Sequence, residues 1–323
     1  MKAIRYYRYG PPEVLELQDV EMPTVTDNDV LVQVRAASVN PLDWHFMRGS
    51  PYVVRPQSGL TRPKVNSLGV DLAGHVEAVG RDVTRFRAGD EVFGHRWGAF
   101  GQYVRVRQDG VLLTKPANLT FEQAASVPVA GFTALQALRD KGRIQPGHKV
   151  LVNGAAGGVG TFTVQIAKAL GAEVTGVCST RNVDMVRSIG ADEVVDYTRD
   201  DFTRTGQRYD ILVDMAGNRT LRDIRRVLTP KGVLVGVGGP DRGRWIGPLL
   251  APAKMSLLSP FVSQTMGFML ARPDNDDLAV LRELLESGKV TPVIDRTYPL
   301  SEVPEAIRYL EQGHARGKVV ITV

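Results

Sequence analysis

The segment Asn153-Gly154-Ala155-Ala156-Gly157-Gly158-Val159-Gly160 is where residue type and spacing point most directly to chemistry. It has the spacing of a G-x-G-x-x-G phosphate turn, with Ala155 in the first position and Gly157 and Gly160 in the other two. Gly157 lets the backbone approach a pyrophosphate, and Gly160 lets the following helix pack on the strand. The helix start at Gly158 and Val159 offers N–H donors and a partial positive charge to the phosphates. A lone glycine triplet is often only a turn. Here a strand precedes it, a helix follows, and a second strand stands at the distance a dinucleotide site requires.

The end of that second strand selects the cofactor. A site for the unphosphorylated dinucleotide would place Asp or Glu there to hold the ribose 2′-hydroxyl. This chain has Cys178-Ser179-Thr180-Arg181, with no acid until Asp184. Ser179 and Thr180 are read as donors to a 2′-phosphate and Arg181 as its ion-pair partner, so the expected cofactor is NADPH. The bland alternative is an arginine merely solvated at a helix start.

The elements that must position these residues follow from the apolar pattern. The first third is β-rich: Val30, Val32, Val34 and Ala36 alternate with Leu31, Gln33 and Arg35. Short apolar runs follow at 72–79, 91–93, 103–106 and 111–113, punctuated by glycines, and suggest a compact antiparallel barrel. Helices are expected at 121–125 and 130–138. From Lys149 strand and helix alternate: strands at 150–152, 174–178, 194–195, 211–213, 233–237 and 266–271, with helices at 159–170, 183–189 and 221–228. Six such strands with helical crossovers make a doubly wound parallel sheet. Helices at 278–286 and 306–312 and a strand at 319–323 then complete the first domain. The expected fold class is therefore α/β, with a nucleotide domain at 124–273 inserted into a domain made of 1–123 and 274–323.

Composition narrows the classes. The 323 residues suffice for two domains, and the net charge of +5 fits an anionic cofactor as well as a solvated basic face. No Lys/Arg run suggests nucleic acid. The single cysteine, Cys178, permits neither an internal disulfide nor a cysteine-based zinc cluster and suits a reducing compartment, so cytoplasmic residence is expected. The start, Met1-Lys2-Ala3-Ile4-Arg5-Tyr6, reads as a strand rather than a signal peptide. One long apolar stretch, 245–271, carries Lys254 and prolines 248, 252 and 260, which argue against a membrane span.

These residues, in this order, resemble the zinc-free quinone oxidoreductase-like branch of the medium-chain dehydrogenase/reductase superfamily. The likeness is carried by the glycine loop, by Ala36-Ala37-Ser38-Val39-Asn40-Pro41-Leu42-Asp43, by Gly69-Val70-Asp71-Leu72-Ala73-Gly74 and by Gly89-Asp90-Glu91-Val92-Phe93-Gly94. It implies a GroES-like β-barrel catalytic domain plus a Rossmann domain with a cleft between them, and often a homodimer joined through the Rossmann edge strand. It also implies that Thr133 lies near the nicotinamide, Tyr197 near the adenosine, and Gly238 and Gly239 along the carboxamide. Where the zinc enzymes of the superfamily keep a cysteine this chain has Asn40, and where they keep a histidine it has Val70. His45, His75, His95, His148 and His314 form no ligand-spaced pair, so no metal is expected.

The implied chemistry is hydride transfer to a small electron-poor substrate, a quinone or an α,β-unsaturated carbonyl. Without a metal, a growing oxyanion needs protein donors. Asn40 and Tyr52 are the candidates, Tyr52 in a lid-like Gly49-Ser50-Pro51-Tyr52 turn where it serves either as donor or as an aromatic cover. Asp43 is read as an orienting group. Two other readings compete: an enoyl-thioester reductase, and an NADPH-binding protein of low turnover with a structural, regulatory or RNA-binding role.

Overall fold

The computed structural model describes residues 1–52, 55–238, 255 and 262–323; Gly239 and most of the apolar stretch from 245 lie outside them. The chain opens with strands β1 (Lys2–Arg5) and β2 (Glu16–Asp19), an antiparallel pair. Next come the long β3 (Asp29–Val39), helices α1 (Pro41–Arg48) and α2 (Arg55–Ser58), and strands β4 (Asp71–Val79), β5 (Glu91–His95), β6 (Tyr103–Arg107) and β7 (Leu112–Thr114). Helices α3 (Phe121–Ala125) and α4 (Pro128–Gln136) lead into the alternating part. That part is β8 (Lys149–Asn153), α5 (Gly158–Ala169), β9 (Glu173–Cys178), α6 (Val183–Ser188), β10 (Glu193–Asp196), β11 (Tyr209–Asp214), α7 (Leu221–Val227), β12 (Leu228–Gly236) and β13 (Thr265–Phe268). The chain closes with α8 (Asn275–Glu286), β14 (Ile294–Pro299), α9 (Val303–Glu311) and β15 (Lys318–Thr322).

Contacts divide the chain into two compact units. The first holds Met1–Val129, Pro273–Glu286 and Pro292–Val323; the second holds Ala130–Arg272 and Ser287–Thr291. Within the second unit two glutamine side chains tie down the places where the chain leaves it. Gln136 pairs with both the N–H and the carbonyl of Arg272, and Gln165 does the same with Thr291.

In the first unit the pairings run β14-β15-β3-β4-β5-β7, with β6 also on β3. Among the described residues the pairings are antiparallel as in the compact barrel expected from sequence, except that β14 pairs with β15 in parallel, which makes the sheet mixed. The core beneath it is Val32, Val34, Leu72, Val92, Phe100, Ile307 and Val319, all essentially inaccessible. β3 pairs along its length with β15, β4 and β6, and residues on both of its faces are buried.

The second unit contains the six-stranded parallel sheet in the order β10-β9-β8-β11-β12-β13. The chain runs outward from β8 in both directions, so the topological switch lies between β8 and β11, where ligands of such sheets bind. Helix α5 buries Phe162, Val164 and Ile166, and Gly171 at φ +82° ends it. The helix expected at 130–138 starts at Pro128 instead and passes into a π-turn over Ala137–Lys141. The strand expected at 266–271 ends at Phe268, and Leu270 beyond it is 80% exposed.

Candidate active site and nucleotide cradle

Four neighbouring strands of the first unit bring polar residues to one level. In the register of the sheet Val39 faces Val319, Ser38 faces Asp71, and Asp71 faces His95. Lys318 therefore enters beside Asn40, and the first residue of β15, the last turn of β3, the first residue of β4 and the last of β5 meet in a row. Asn40, Asp43, Asp71 and Lys318 are all buried there.

The hydrogen bonds are reciprocal. The Lys318 ammonium donates to Asn40 Oδ1 at 2.7 Å and lies 3.7 Å from the Asp71 carboxylate. Asn40 Nδ2 donates to Asp71 Oδ2 at 2.9 Å and to the Ser38 carbonyl at 3.3 Å. Ser38 Oγ also donates to Asp71 Oδ2, and Asp71 Oδ1 accepts the Val129 N–H at the start of α4. His95 Nδ1 lies 3.5 Å from Asp71 Oδ1, at the outer limit of hydrogen-bonding distance. Asp43 accepts the Asn40 N–H on one oxygen and the Gly69 N–H on the other. That bond from Asn40 is half of a capping box at the start of α1, with Pro41 at its first position and Gly49, at φ +56°, ending it.

Charge placement sets the titration of the cluster. Burial raises the Asp43 carboxyl to about 7, against the two backbone donors, and the Asp71 charge adds to the rise. Burial would raise Asp71 as well, but His95, the Lys318 charge and Asn40 together hold it below its ordinary value. Burial lowers Lys318, opposed by Asp71 and Asp43. An uncompensated ion here would be costly by several kcal/mol, so the members depend on one another.

Both hydrogens of the Asn40 amide are bonded inside the cluster, to Asp71 Oδ2 and to the Ser38 carbonyl. Asp43 holds the Asn40 and Gly69 N–H groups, and its carboxyl is raised to about 7. Asp71 and Lys318 were missed as site residues, although a lysine at the head of the apolar run 319–323 is a visible anomaly. Tyr52 is half-buried, and the Arg55 guanidinium stacks on its ring at 4.3 Å and on Tyr9 at 4.8 Å.

The second unit holds the nucleotide residues. Asn153 ends β8 and Asp214 ends β11, on either side of the switch, joined by Asn153 Nδ2 to Asp214 Oδ1 at 2.8 Å. Asp214 also accepts the N–H groups of Ala216 and Gly217, and its carbonyl takes that of Gly238 at 3.4 Å. Gly154, at φ +97°, turns the chain, Ala155 is buried, and Gly157, Gly158 and Val159 are partly open to solvent. A Cβ on Gly160 would come 2.1 Å from the Gly154 carbonyl oxygen, so this glycine serves helix packing. Among the described residues a Cβ on Gly157 would meet nothing closer than 3.5 Å, so the chain leaves space at the start of α5, where a helix N-terminus can take a phosphate.

Thr133 is buried on α4. Ser179, Thr180 and Arg181 follow β9, with Thr180 and Arg181 exposed, and exposed Tyr197 donates its N–H to the Cys178 carbonyl. The Thr180 hydroxyl lies 2.6 Å from Asp196 at the end of β10, an acid that sequence spacing did not bring near it. Gly239 falls outside the described residues.

Comparison with known proteins places this arrangement. Residues 26–117 match the description "Alcohol dehydrogenase GroES-like domain", and residues 189–321 match "Zinc-binding dehydrogenase". Those two blocks define a medium-chain dehydrogenase/reductase, a class of nicotinamide-dinucleotide-dependent oxidoreductases. Within it the chain belongs to the quinone oxidoreductase-like branch. It is 35% identical to the mitochondrial NAD(P)H oxidoreductase RTN4IP1 of Mus musculus over 98% of this chain and 87% of that protein. It is 32% identical to the chloroplastic NADPH-dependent alkenal/one oxidoreductase of Arabidopsis thaliana, over 99% of this chain and 79% of that one. Among solved structures the quinone oxidoreductase of Coxiella burnetii superimposes with a TM-score of 0.86 at 31% identity, covering 100% and 99% of the two chains.

Proposed function

We propose that the chain is a zinc-independent NADPH-dependent reductase that delivers hydride to a quinone or to the β-carbon of an enone or enal. The observation that carries this reading is the glycine cradle at the β8/β11 switch, where the described residues leave space at Gly157 beside a helix N-terminus. NADPH, when bound, supplies the hydride. Gly157, Gly158 and Val159 hold its pyrophosphate. Ser179 and Arg181 take the 2′-phosphate, and Tyr197 covers the adenosine. Thr133, Gly238 and Gly239 are assigned to the nicotinamide end by resemblance. The names of the similar mouse and Arabidopsis proteins support both the cofactor type and the class of substrate.

In the first unit, Asn40 and Asp43 fix the loop into α1 and keep the buried charges of Asp71 and Lys318 in balance. With the Asn40 hydrogens committed, Tyr52 is the remaining candidate donor from the sequence reading, its ring steadied by Arg55. Zinc independence rests on the donor set: Asn40 and Val70 offer neither thiolate nor imidazole, and among the described residues no group of three His, Cys, Asp or Glu is arranged to hold a metal ion. Cytoplasmic residence rests on the lone cysteine; no helix among the described residues is long and apolar enough to cross a membrane.

The test is NADPH oxidation measured with a quinone, an enone, an alkenal and an enoyl-CoA, with and without a strong chelator. Turnover of quinone or enone, undiminished by the chelator, is expected. Turnover of the enoyl-CoA alone would favour the thioester reductase, and turnover of none the binding-protein reading. One zinc per chain by elemental analysis would contradict the metal-free assignment.

A further inference from the structure

The corner between β9 and β10 carries more than the sequence spacing assigns. Asp196 lies opposite Cys178 in the parallel register, which brings its carboxylate against the residues that follow β9. Three oxygen-bearing side chains meet there. Thr180 Oγ1 is 2.6 Å from Asp196 Oδ2, Thr198 Oγ1 is 2.7 Å from Asp196 Oδ1, and the two hydroxyl oxygens are 2.8 Å apart. The Thr198 N–H also donates to Oδ1.

Counting protons decides what this corner shows to a ligand. The hydroxyl bonds hold the Asp196 carboxyl below its ordinary value, so it is ionised near neutral pH and brings no proton. Only the two hydroxyl protons are available for these three contacts, so both are held inside the corner, by the carboxylate or by the neighbouring hydroxyl. Thr180 and Thr198 are exposed, and what they present outward is lone pairs. Lone pairs accept from a ribose 2′-hydroxyl and repel a 2′-phosphate. Ser179 differs, because its Oγ accepts from Asn182 and keeps its own proton to give. Arg181 supplies the positive charge on this side, and Arg199 lies 3.6 Å from Asp196, where it offsets part of the anion.

We propose that Asp196 is a specificity-determining residue that opens the cofactor site to NADH by turning Thr180 and Thr198 into acceptors. Preference for NADPH then rests on Ser179 and Arg181 alone. This rests on the dinucleotide reading above and sharpens it: the site takes both cofactors, with selectivity set by the balance between Asp196 and Arg181.

The test is direct binding, read from cofactor fluorescence or calorimetry without substrate. Asp196→Asn keeps the shape, removes the charge and donates one N–H back to a threonine hydroxyl, freeing a hydroxyl proton to point outward. The affinity for NADPH relative to NADH should rise about tenfold, the scale of one charge-assisted hydrogen bond. Thr180→Val removes an acceptor from the same corner and should weaken NADH more than NADPH. An unchanged or reduced preference in Asp196→Asn would overturn the proposal, and so would a Thr180→Val variant that loses NADPH more than NADH. The second variant decides the matter if the first does not fold. Binding of neither cofactor by the wild-type chain would instead refute the dinucleotide reading, and the proposal with it.

Discussion

Asp43 illustrates how much a single buried carboxyl depends on its neighbours. Its two oxygens accept the backbone N–H groups of Asn40 and Gly69, while burial and the nearby Asp71 charge favour its protonated form. Its carboxyl rises from 3.8 to about 7 on folding, so between those values the folded chain binds more protons at this site than the unfolded one. The stability Asp43 contributes is therefore fully present below its unfolded value and lost as pH rises through about 7. Asp71, held low, contributes in the opposite sense and loses its share as pH falls. Asp43→Asn carries no charge at any of these pH values, so it isolates the first effect. The excess in melting temperature of wild type over Asp43→Asn should shrink between about pH 5 and about pH 8. A constant difference across that range would show that Asp43 does not titrate in the folded chain. At this scale the sequence pointed to Asn40, Asp43 and the glycine loop, because each belongs to a local motif. It did not disclose that Lys318 meets Asn40, a contact spanning nearly the whole chain, nor that Asp196 captures Thr180, because both depend on strand register.

The glycine loop and helix α5 act as one element with two separable jobs. Gly157 leaves open space, whereas Gly160 lets the helix lie against its own entry turn, where a methyl would overlap the Gly154 carbonyl and the Ala155 backbone. Gly157→Ala should fold with a melting temperature close to wild type and bind NADPH at least about tenfold more weakly. Gly160→Ala should lose stability first, because the atoms it meets are backbone and cannot rotate away. Equal binding losses without a stability difference would contradict this division. Most elements were legible because their apolar periodicity is strong, as in α5 and the parallel strands. β14 was not, because it is an edge strand whose residues Asp295, Arg296 and Thr297 face solvent or lie only partly covered. α1 was not read as a helix either: it has start and stop signals in Asn40-Pro41 and Gly49, but its eight residues carry too little periodicity to announce it.

At the scale of the whole molecule, β13 leaves an unfinished edge. Among the described residues it pairs only with β12, and Phe268 and Leu270 beside it are 37% and 80% exposed. An apolar edge of this kind finds a partner, so the chain should form a homodimer through β13. Light scattering at micromolar concentration should give twice the chain mass, and Leu270→Asp should shift it toward the monomer. A wild-type monomer would reject the assignment. The division into a nucleotide unit and a mixed-sheet unit was legible from the switch to strand–helix alternation near Lys149, whereas the mixed pairing of the first sheet was not, since parallel β14 and β15 look like any other short strands in sequence. In the proposed reaction hydride passes from NADPH to carbon. The direct measurement uses an enone and NADPH deuterated at one or the other C4 position, with the product read by mass spectrometry and NMR. With one of the two labelled forms, the reduced enone should carry a deuterium at its β-carbon. NADPH oxidation that leaves the product unlabelled with both forms would contradict the account.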